Sequence, residues 1–306
     1  MYELIILGAG PAGMTAAVYA ARKKINTLLI SDNLGGQPLT TAGIENYMGY
    51  QFIEGAELMQ KFEDQVRQFP TDVEIKVSQK AERLSGLDGG FEVKTDRGET
   101  YQAKVVIVAT GKRSRELHVP GEKELVGRGV TYCAICDGPL FADEKVTVIG
   151  GGNSALEAAE SMIKIAEQVY LISLTPLTGD QILIDKVTDA SNLTIFIEHE
   201  VTEIKGEGRV ERIKIRDLKG SKQERDLDVG GVFIEIGLIP NSEAVKGVAT
   251  LNHIREIEIN YANETDVPGL FAAGDVTNVP EKQVVVAAGE GAKAALQAHR
   301  YLQRLK

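Results

Sequence analysis

The stretch Leu4-Ile5-Ile6-Leu7-Gly8-Ala9-Gly10-Pro11-Ala12-Gly13 decides the fold. Its apolar run, β-branched at Ile5 and Ile6, has the composition of a parallel strand buried on both faces. The chain then turns through Gly8-x-Gly10-x-x-Gly13 into a helix carried by Ala16, Ala17 and Ala20 to about Arg22. A second strand follows over Thr27–Ile30. Strand, glycine turn, helix and strand in this order read as a dinucleotide-binding unit. Its glycines permit a tight turn, close approach of backbone to a pyrophosphate, and close helix–strand packing. The helix N-terminus offers unpaired N–H groups to the phosphates. Gly8, Gly10, Ala12 and Gly13 are therefore assigned to a nucleotide. The acidic residue that usually ends the second strand is displaced: Ser31 comes first, then Asp32, which is kept as a binding candidate.

The pattern recurs at Val146-Thr147-Val148-Ile149-Gly150-Gly151-Gly152-Asn153-Ser154-Ala155. A helix from Ser154 to about Ile165 and a strand over Val169–Ile172 are expected after it. Gly150, Gly152, Asn153, Ser154 and Ala155 form the second nucleotide turn, a duplication of a fold type and not a short-period solenoid. Two further buried strands end in glycine: Val105-Val106-Ile107-Val108-Ala109-Thr110-Gly111, and Leu270-Phe271-Ala272-Ala273-Gly274-Asp275. A carboxylate at a strand end, as at Asp275, can accept hydrogen bonds from a polyol chain such as ribityl. A helix is expected from about Val284 to Leu302. The fold class is α/β, with two Rossmann-like three-layer (ββα) nucleotide-binding domains, the second inserted into the first. The outer domain is expected at 1–112 and 246–306 and the inner at 113–245, with Gly111–Arg115 and Asn241–Lys246 as the crossing strands.

Cys133-Ala134-Ile135-Cys136 holds the only two cysteines of the chain. A bridge between them closes too short a loop to staple a fold, so its value is chemical. Cys-x-x-Cys lowers one thiol pKa and keeps a resolving thiol within reach. Lying between two nucleotide turns, the pair reads as an electron relay. A structural zinc site needs two more ligands. There is no second cysteine pair, and His118, His199, His253 and His299 are scattered without ligand spacing, so no metal is expected.

The chain has 306 residues, 43% apolar and 25% charged, and a net charge of −10. Its length suits about two domains. The negative charge disfavours nonspecific binding to nucleic acid or anionic membrane, and no apolar stretch reaches spanning length. Met1-Tyr2-Glu3 enters a strand directly, so no signal peptide is expected. A reducing cytoplasm is the expected compartment, where a dithiol is catalytic before it is structural.

These residues spell a resemblance. The chain resembles the low-molecular-weight thioredoxin reductase family from end to end. The matching blocks are Gly35-Gly36-Gln37, Ile44-Glu45-Asn46-Tyr47, Ala109-Thr110-Gly111, Cys133-x-x-Cys136-Asp137-Gly138, Gly237-x-x-Pro240-Asn241 and Gly274-Asp275. Gly129-Val130-Thr131-Tyr132-Cys133, Gly138-Pro139-Leu140-Phe141 and Gly289-Glu290-Gly291 are in the style of the flavoprotein subunits of alkyl hydroperoxide reductase within that family. The resemblance implies FAD in the outer domain, a pyridine nucleotide in the inner one, a homodimer, and a domain rotation that presents the flavin alternately to nicotinamide and dithiol. By the same carry-over Gly36, Gln37, Asn46, Ala109, Thr110, Gly111, Gly274, Asp275 and Gln283 lie at the flavin. Lys282 stands where these reductases often carry arginine. Cys136 faces the flavin ring, Cys133 attacks the partner disulfide, and Asp137 handles protons. A turn residue before Gly138 is the plain alternative for Asp137, and a helix N-terminal residue that for Gln283.

Two departures carry information. The alkyl hydroperoxide reductase flavoproteins have an N-terminal redox domain, whereas this sequence starts at the FAD fold, so electrons are expected to leave to a separate protein or small disulfide. NADPH-using members carry a His-Arg-Arg cluster after the second strand of the inner fold. Here Leu171–Asp180 holds no cation, and none occurs between Lys164 and Lys186. Ser173 is the nearest polar group to a ribose, and the carboxylate typical of NAD sites is missing. NADH is expected over NADPH. The expected activity is an FAD-dependent disulfide reductase acting on a thioredoxin- or glutaredoxin-like protein. The open alternatives are the same reductase fed by ferredoxin or another non-pyridine carrier, an oxygen-dependent dithiol oxidase, and a non-catalytic nucleotide sensor.

Overall fold

The apolar run that opens the chain forms β1 (Tyr2–Ala9), flanked on both sides by parallel strands, β2 (Thr27–Leu34) and β6 (Thr100–Val108). The computed structural model describes residues 1–41, 43–220 and 222–305. β3 (Val73–Val77) continues the sheet beyond β2. β6 is long enough for two partners on its other edge. Its first half pairs antiparallel with β5 (Gly90–Thr95), which forms a hairpin with β4 (Ala81–Leu87). Its second half pairs parallel with β17 (Leu270–Ala272). Helix α1 (Pro11–Arg22) follows β1, α2 (Gly55–Val66) precedes β3, and α6 (Val284–Arg304) closes the chain.

Alternation along the strands sorts the core. Ile5, Leu7, Leu28, Ile30, Val106, Val108 and Leu270 share one cluster with Leu84, Phe91 and Val93 of the β4–β5 hairpin. Each such side chain contributes about 1.5–3 kcal/mol when fully buried. α1 packs on α6, and the fully buried residues there are small: Ala16, Ala17 and Ala20 on one helix, Ala294, Ala295 and Ala298 on the other. Small residues let the helix axes approach closely. Gly13 is required by the tightness of the β1–α1 turn, since a Cβ there would lie 1.7 Å from the carbonyl oxygen of Gly8.

The second unit repeats the plan. Its five-stranded sheet is parallel throughout, in the order β11 (Leu193–Ile197), β10 (Gln168–Ser173), β9 (Lys145–Ile149), β15 (Gly231–Ile234), β8 (Val130–Thr131). Val146, Val148, Val169, Leu171 and Phe233 pack on α4 (Asn153–Met162) and α5 (Gln181–Thr188). On the opposite face Ile172, Val232 and Ile234 pack on the antiparallel β12 (His199–Lys205), β13 (Arg212–Asp217) and β14 (Glu224–Asp228). Helix, parallel sheet and β-meander are the three layers. A short helix α3 (Ala134–Asp137) follows β8.

By contacts the chain separates into Met1–Leu39, Tyr47–Arg113 and Ile239–Lys306 on one side, and Thr40–Asn46 with Ser114–Leu238 on the other. It crosses on β7 (Lys112–Ser114) and β16 (Leu238–Pro240), which pair with each other. The return strand thus comes earlier than Asn241–Lys246, which holds instead a 3₁₀ turn, Glu243–Val245. Hydrogen bonds explain the difference. Asn241 N–H donates to Gly111 O at 3.0 Å, its side-chain amide donates to Thr110 O at 2.9 Å, and its carbonyl accepts the Thr110 hydroxyl at 2.6 Å. Asn241 is already fastened to the end of β6.

Candidate active site

Cys133 and Cys136 are disulfide-bonded, with Cα atoms 5.3 Å apart. Cys133 caps the N-terminus of α3, and its sulfur accepts the N–H of Cys136 at 3.3 Å. Thr131, at the end of β8, sits beneath the pair. Its hydroxyl donates to a carboxylate oxygen of Asp137 and accepts the N–H of Cys133 at 3.2 Å. Asp137 is only 4% exposed, so it is no ordinary surface turn residue. On the other side, the N–H of Ala134 donates to Glu235 Oε1 at 3.2 Å. Burial pushes the Glu235 carboxyl up to about 7; the Ala134 bond pulls it down, and the charge of Glu157 pushes it further up.

In the first unit the glycine turn, the end of β6, the end of β17 and the starts of α1 and α6 meet. A Cβ on Gly8 would lie 2.4 Å from Ala109 O; one on Gly274 would lie 3.0 Å from Ala12 Cβ and 3.4 Å from Ala287 Cβ. Asp275 is beside them, its carboxyl raised by burial and held down by Lys282 and Lys112. Lys282 belongs to a buried ion cluster. Glu256 Oε1 lies 2.6 Å from Lys112 Nζ and 3.1 Å from Lys282 Nζ, while Asn252 donates to its other oxygen at 2.7 Å. Burial and the Lys112 charge lower the Lys282 pKa, and Glu256 opposes them. Gln283 caps the start of α6 through its backbone. Ser31, not Asp32, reaches the turn: its hydroxyl accepts Ala9 N–H at 3.0 Å, whereas Asp32 points outward to Lys80 at 3.0 Å. Gly36 donates its N–H to Asn33 Oδ1 at 2.8 Å, and Gln37 opens a 3₁₀ turn. Asn46 falls in the Thr40–Asn46 segment that groups with the second unit.

In the second unit Gly150 has φ +142°, and a Cβ on it would lie 2.3 Å from Glu235 O. The loop after β10 folds onto this turn. Gly151 O accepts the N–H of Thr178 at 2.7 Å and of Gly179 at 3.2 Å. Asn153 and Asp180 bond reciprocally at 2.7 and 3.1 Å. Ser154 is exposed and Ala155 is buried behind the turn. The Ser173 hydroxyl donates to Thr175 O at 2.7 Å. The two flanking lysines, Lys164 and Lys186, both lie against Glu160, at 3.4 and 3.7 Å.

The family model for pyridine nucleotide-disulphide oxidoreductases matches residues 2–291. The chain belongs to that family. As a pyridine nucleotide-disulphide oxidoreductase it is an oxidoreductase of a group dependent on FAD and a pyridine nucleotide. The matching flavoprotein of the Escherichia coli K12 alkyl hydroperoxide reductase is 43% identical over 310 residues, covering all of this chain and 59% of that protein. The chain therefore spans somewhat more than half the length of that relative. A protein named NADH dehydrogenase from Ferdinandcohnia aciditolerans is 38% identical over 304 residues, 99% of this chain and 58% of that protein. Thioredoxin reductase from Streptococcus pyogenes MGAS5005 superposes with a TM-score of 0.92 at 36% identity, covering 99% of each chain.

The residues fit the groups on which the family depends. A Cβ on Gly10 would meet nothing nearer than Gly35 O at 3.8 Å, and one on Gly152 nothing within 4 Å, so backbone faces open space where a phosphate must come close. The half-buried Asp275 carboxylate suits the hydroxyls of a polyol. Sequence reasoning missed Glu235 and the Lys112–Glu256–Lys282 cluster. The signal for Glu235 was a single carboxylate set after the apolar run Val232-Phe233-Ile234. Glu256 had no comparable signal. No helix among the described residues is long and apolar enough to cross a membrane.

Proposed function

We propose that this chain is a disulfide reductase of thioredoxin reductase type that takes electrons from NADH in preference to NADPH and delivers them through Cys133–Cys136 to a thioredoxin- or glutaredoxin-like protein disulfide. The observation that carries the reading is the bonded cysteine pair seated on the Thr131–Asp137 hydrogen bond. FAD, when bound, supplies the two-electron relay between nicotinamide and disulfide. Gly8, Gly10, Gly13, the 109–111 strand end and Asp275 would hold it; Gly150, Gly152 and the start of α4 would hold the nucleotide.

The chain's own residues divide the remaining work. Once the pair is reduced, Cys133 is the attacking thiolate and Cys136 the resolving thiol, since only a thiolate opens a disulfide. Thr131 joins the Asp137 carboxyl to the Cys133 backbone, which positions Asp137 to give a proton to the departing sulfur. Ser173 and the neutral loop beyond it offer a 2′-phosphate no cation, and Lys164 and Lys186 are turned to Glu160. The relative named NADH dehydrogenase supports the same donor. The resemblance to thioredoxin reductases supports a homodimer, and a chain whose only cysteines are redox-active supports a reducing, cytoplasmic setting. A non-pyridine donor such as ferredoxin is the second reading, favoured by the cation-free 173–179 segment, which folds onto the glycine turn through the Thr178 and Gly179 amides.

Anaerobic titration of the purified protein with NADH, then NADPH, tests the donor by bleaching of the flavin band. Reduction of a thioredoxin in the same cuvette tests the acceptor. A colourless protein that takes up no FAD on reconstitution would refute the reading.

A further inference from the structure

Glu235 connects two parts of the second unit that the reaction must couple. Its N–H donates to Ile149 O at 2.8 Å, and its carbonyl oxygen lies 2.3 Å from where a Cβ on Gly150 would be, so its backbone braces the nucleotide turn. Its side chain turns the other way and accepts the N–H of Ala134, the residue directly after Cys133. A backbone N–H needs only a neutral acceptor. An amide or hydroxyl would serve without the cost of desolvating a charge. A carboxylate in this place invites a reason beyond anchoring.

We propose that Glu235 is a positioning residue that stores a proton for the Cys133–Cys136 dithiol. The inference rests on that pair being the redox centre. Opening the S–S bond consumes two electrons, supplied through the donor chain of the family's reaction, and two protons, supplied by water. If both protons stay on sulfur, no thiolate is available to attack. If one proton rests on Glu235, one sulfur is left as thiolate while the site's net charge is unchanged. The surrounding charges favour this exchange. Glu157 on α4 acts on Glu235 with the same sign, and the Asp137 carboxyl lies under the dithiol on Thr131. Arg115 packs against Gly237, two residues along, and is not among the charges that shift the Glu235 carboxyl. Burial carries the Glu235 carboxyl to about 7, which puts its proton within reach at neutral pH. A protonated Glu235 lowers the cost of a thiolate beside it, and an ionised one raises it.

The test is the pH profile of iodoacetamide alkylation of the reduced flavoprotein, from pH 5 to 9. Wild type should show two inflections, one from the thiol and one near 7 from Glu235. Glu235→Gln keeps an oxygen for the Ala134 N–H but carries no charge. It should lose the inflection near 7, move the thiol inflection to lower pH, and raise the alkylation rate at pH 8 on the order of three- to tenfold. Glu235→Asp should keep two inflections. Glu157→Gln changes an exposed residue, folds independently of the outcome at 235, and should shift the inflection near 7 downward. A single inflection in wild type, or a Glu235→Gln profile superimposable on wild type, would overturn the proposal. Peptide mapping separates this from the preceding reading: label on Cys136 alone would count against Cys133 as the attacking thiol, whereas the Glu235 coupling is read from the profile.

Discussion

Arginines placed at Leu174 and Thr175 should narrow or reverse the donor preference, and the structure sets the size of the effect. Leu174 is 57% exposed, so replacing it removes little packing. The Thr175 contacts with Ser173 run through its backbone N–H and carbonyl, which any side chain preserves. Lys164 and Lys186 are engaged with Glu160, and no other lysine or arginine lies between them in the sequence. A 2′-phosphate is a dianion near neutral pH that is normally gripped by charge-assisted bonds, often bidentate from arginine. One hydrogen bond to a charged group contributes about 1.5–3 kcal/mol. The site is exposed and screened by salt, so the lower end applies. At about 1.4 kcal/mol per decade, that is roughly tenfold. Wild type should therefore favour NADH over NADPH by about tenfold or more in kcat/KM, and the double variant should narrow or reverse the ratio. Steady-state turnover with each nucleotide at fixed ionic strength is the assay. Wild-type turnover with NADPH equal to that with NADH refutes the cofactor reasoning. Flavin reduction by neither nucleotide moves the donor to ferredoxin or a similar carrier.

Cys133→Ser should abolish disulfide reduction while leaving flavin bleaching by the donor intact, and Cys136→Ser should change the oxidised flavin's absorbance or fluorescence; full turnover in both variants would end the relay idea. Glu256→Gln should leave Lys112 and Lys282 buried without their shared carboxylate, lowering stability by about 3–5 kcal/mol in urea unfolding. A loss below about 1 kcal/mol in that experiment would mean that the cluster is hydrated in solution. Glu235 makes stability depend on pH with a definite sign. Its folded pKa, about 7, lies above the ordinary 4.5, so the folded state binds the extra proton between those values and stability falls as pH rises from about 4.5 through 7, then levels. The penalty at pH 8 is on the order of 2–3 kcal/mol after allowance for partial exposure. Glu235→Gln should remove it, flattening the wild-type decline between pH 5 and 8 in the oxidised protein; parallel stability curves would contradict the assignment.

What the sequence could reveal was set by how local the physics is. Gly8, Gly13 and Gly150 are demanded by contacts within one strand–turn–helix passage or its immediate sheet neighbours, so their spacing announced both folds. The cysteines announced themselves by chemistry. Ser31 and Asp32 take different places because β2 runs on to Leu34 and side chains alternate across a strand: Ser31 faces the turn, and Asp32 faces Lys80. The crossing strand was placed late because Asn241 looks like part of a turn-and-strand passage, yet its bonds to Thr110 and Gly111 depend on a partner far off in sequence. Glu235 is the extreme case. Its role follows from register: β15 pairs Phe233 with Thr131 on one edge and Ile234 with Ile149 on the other. The residue after Ile234 must then emerge between the Cys133 segment and the Gly150 turn. A one-residue slip of β15 would turn that carboxylate to the other face and put Ile234 or Ile236 in its place. The link between nucleotide turn and dithiol is thus a property of three strands aligned in parallel, and no window of the sequence contains all three.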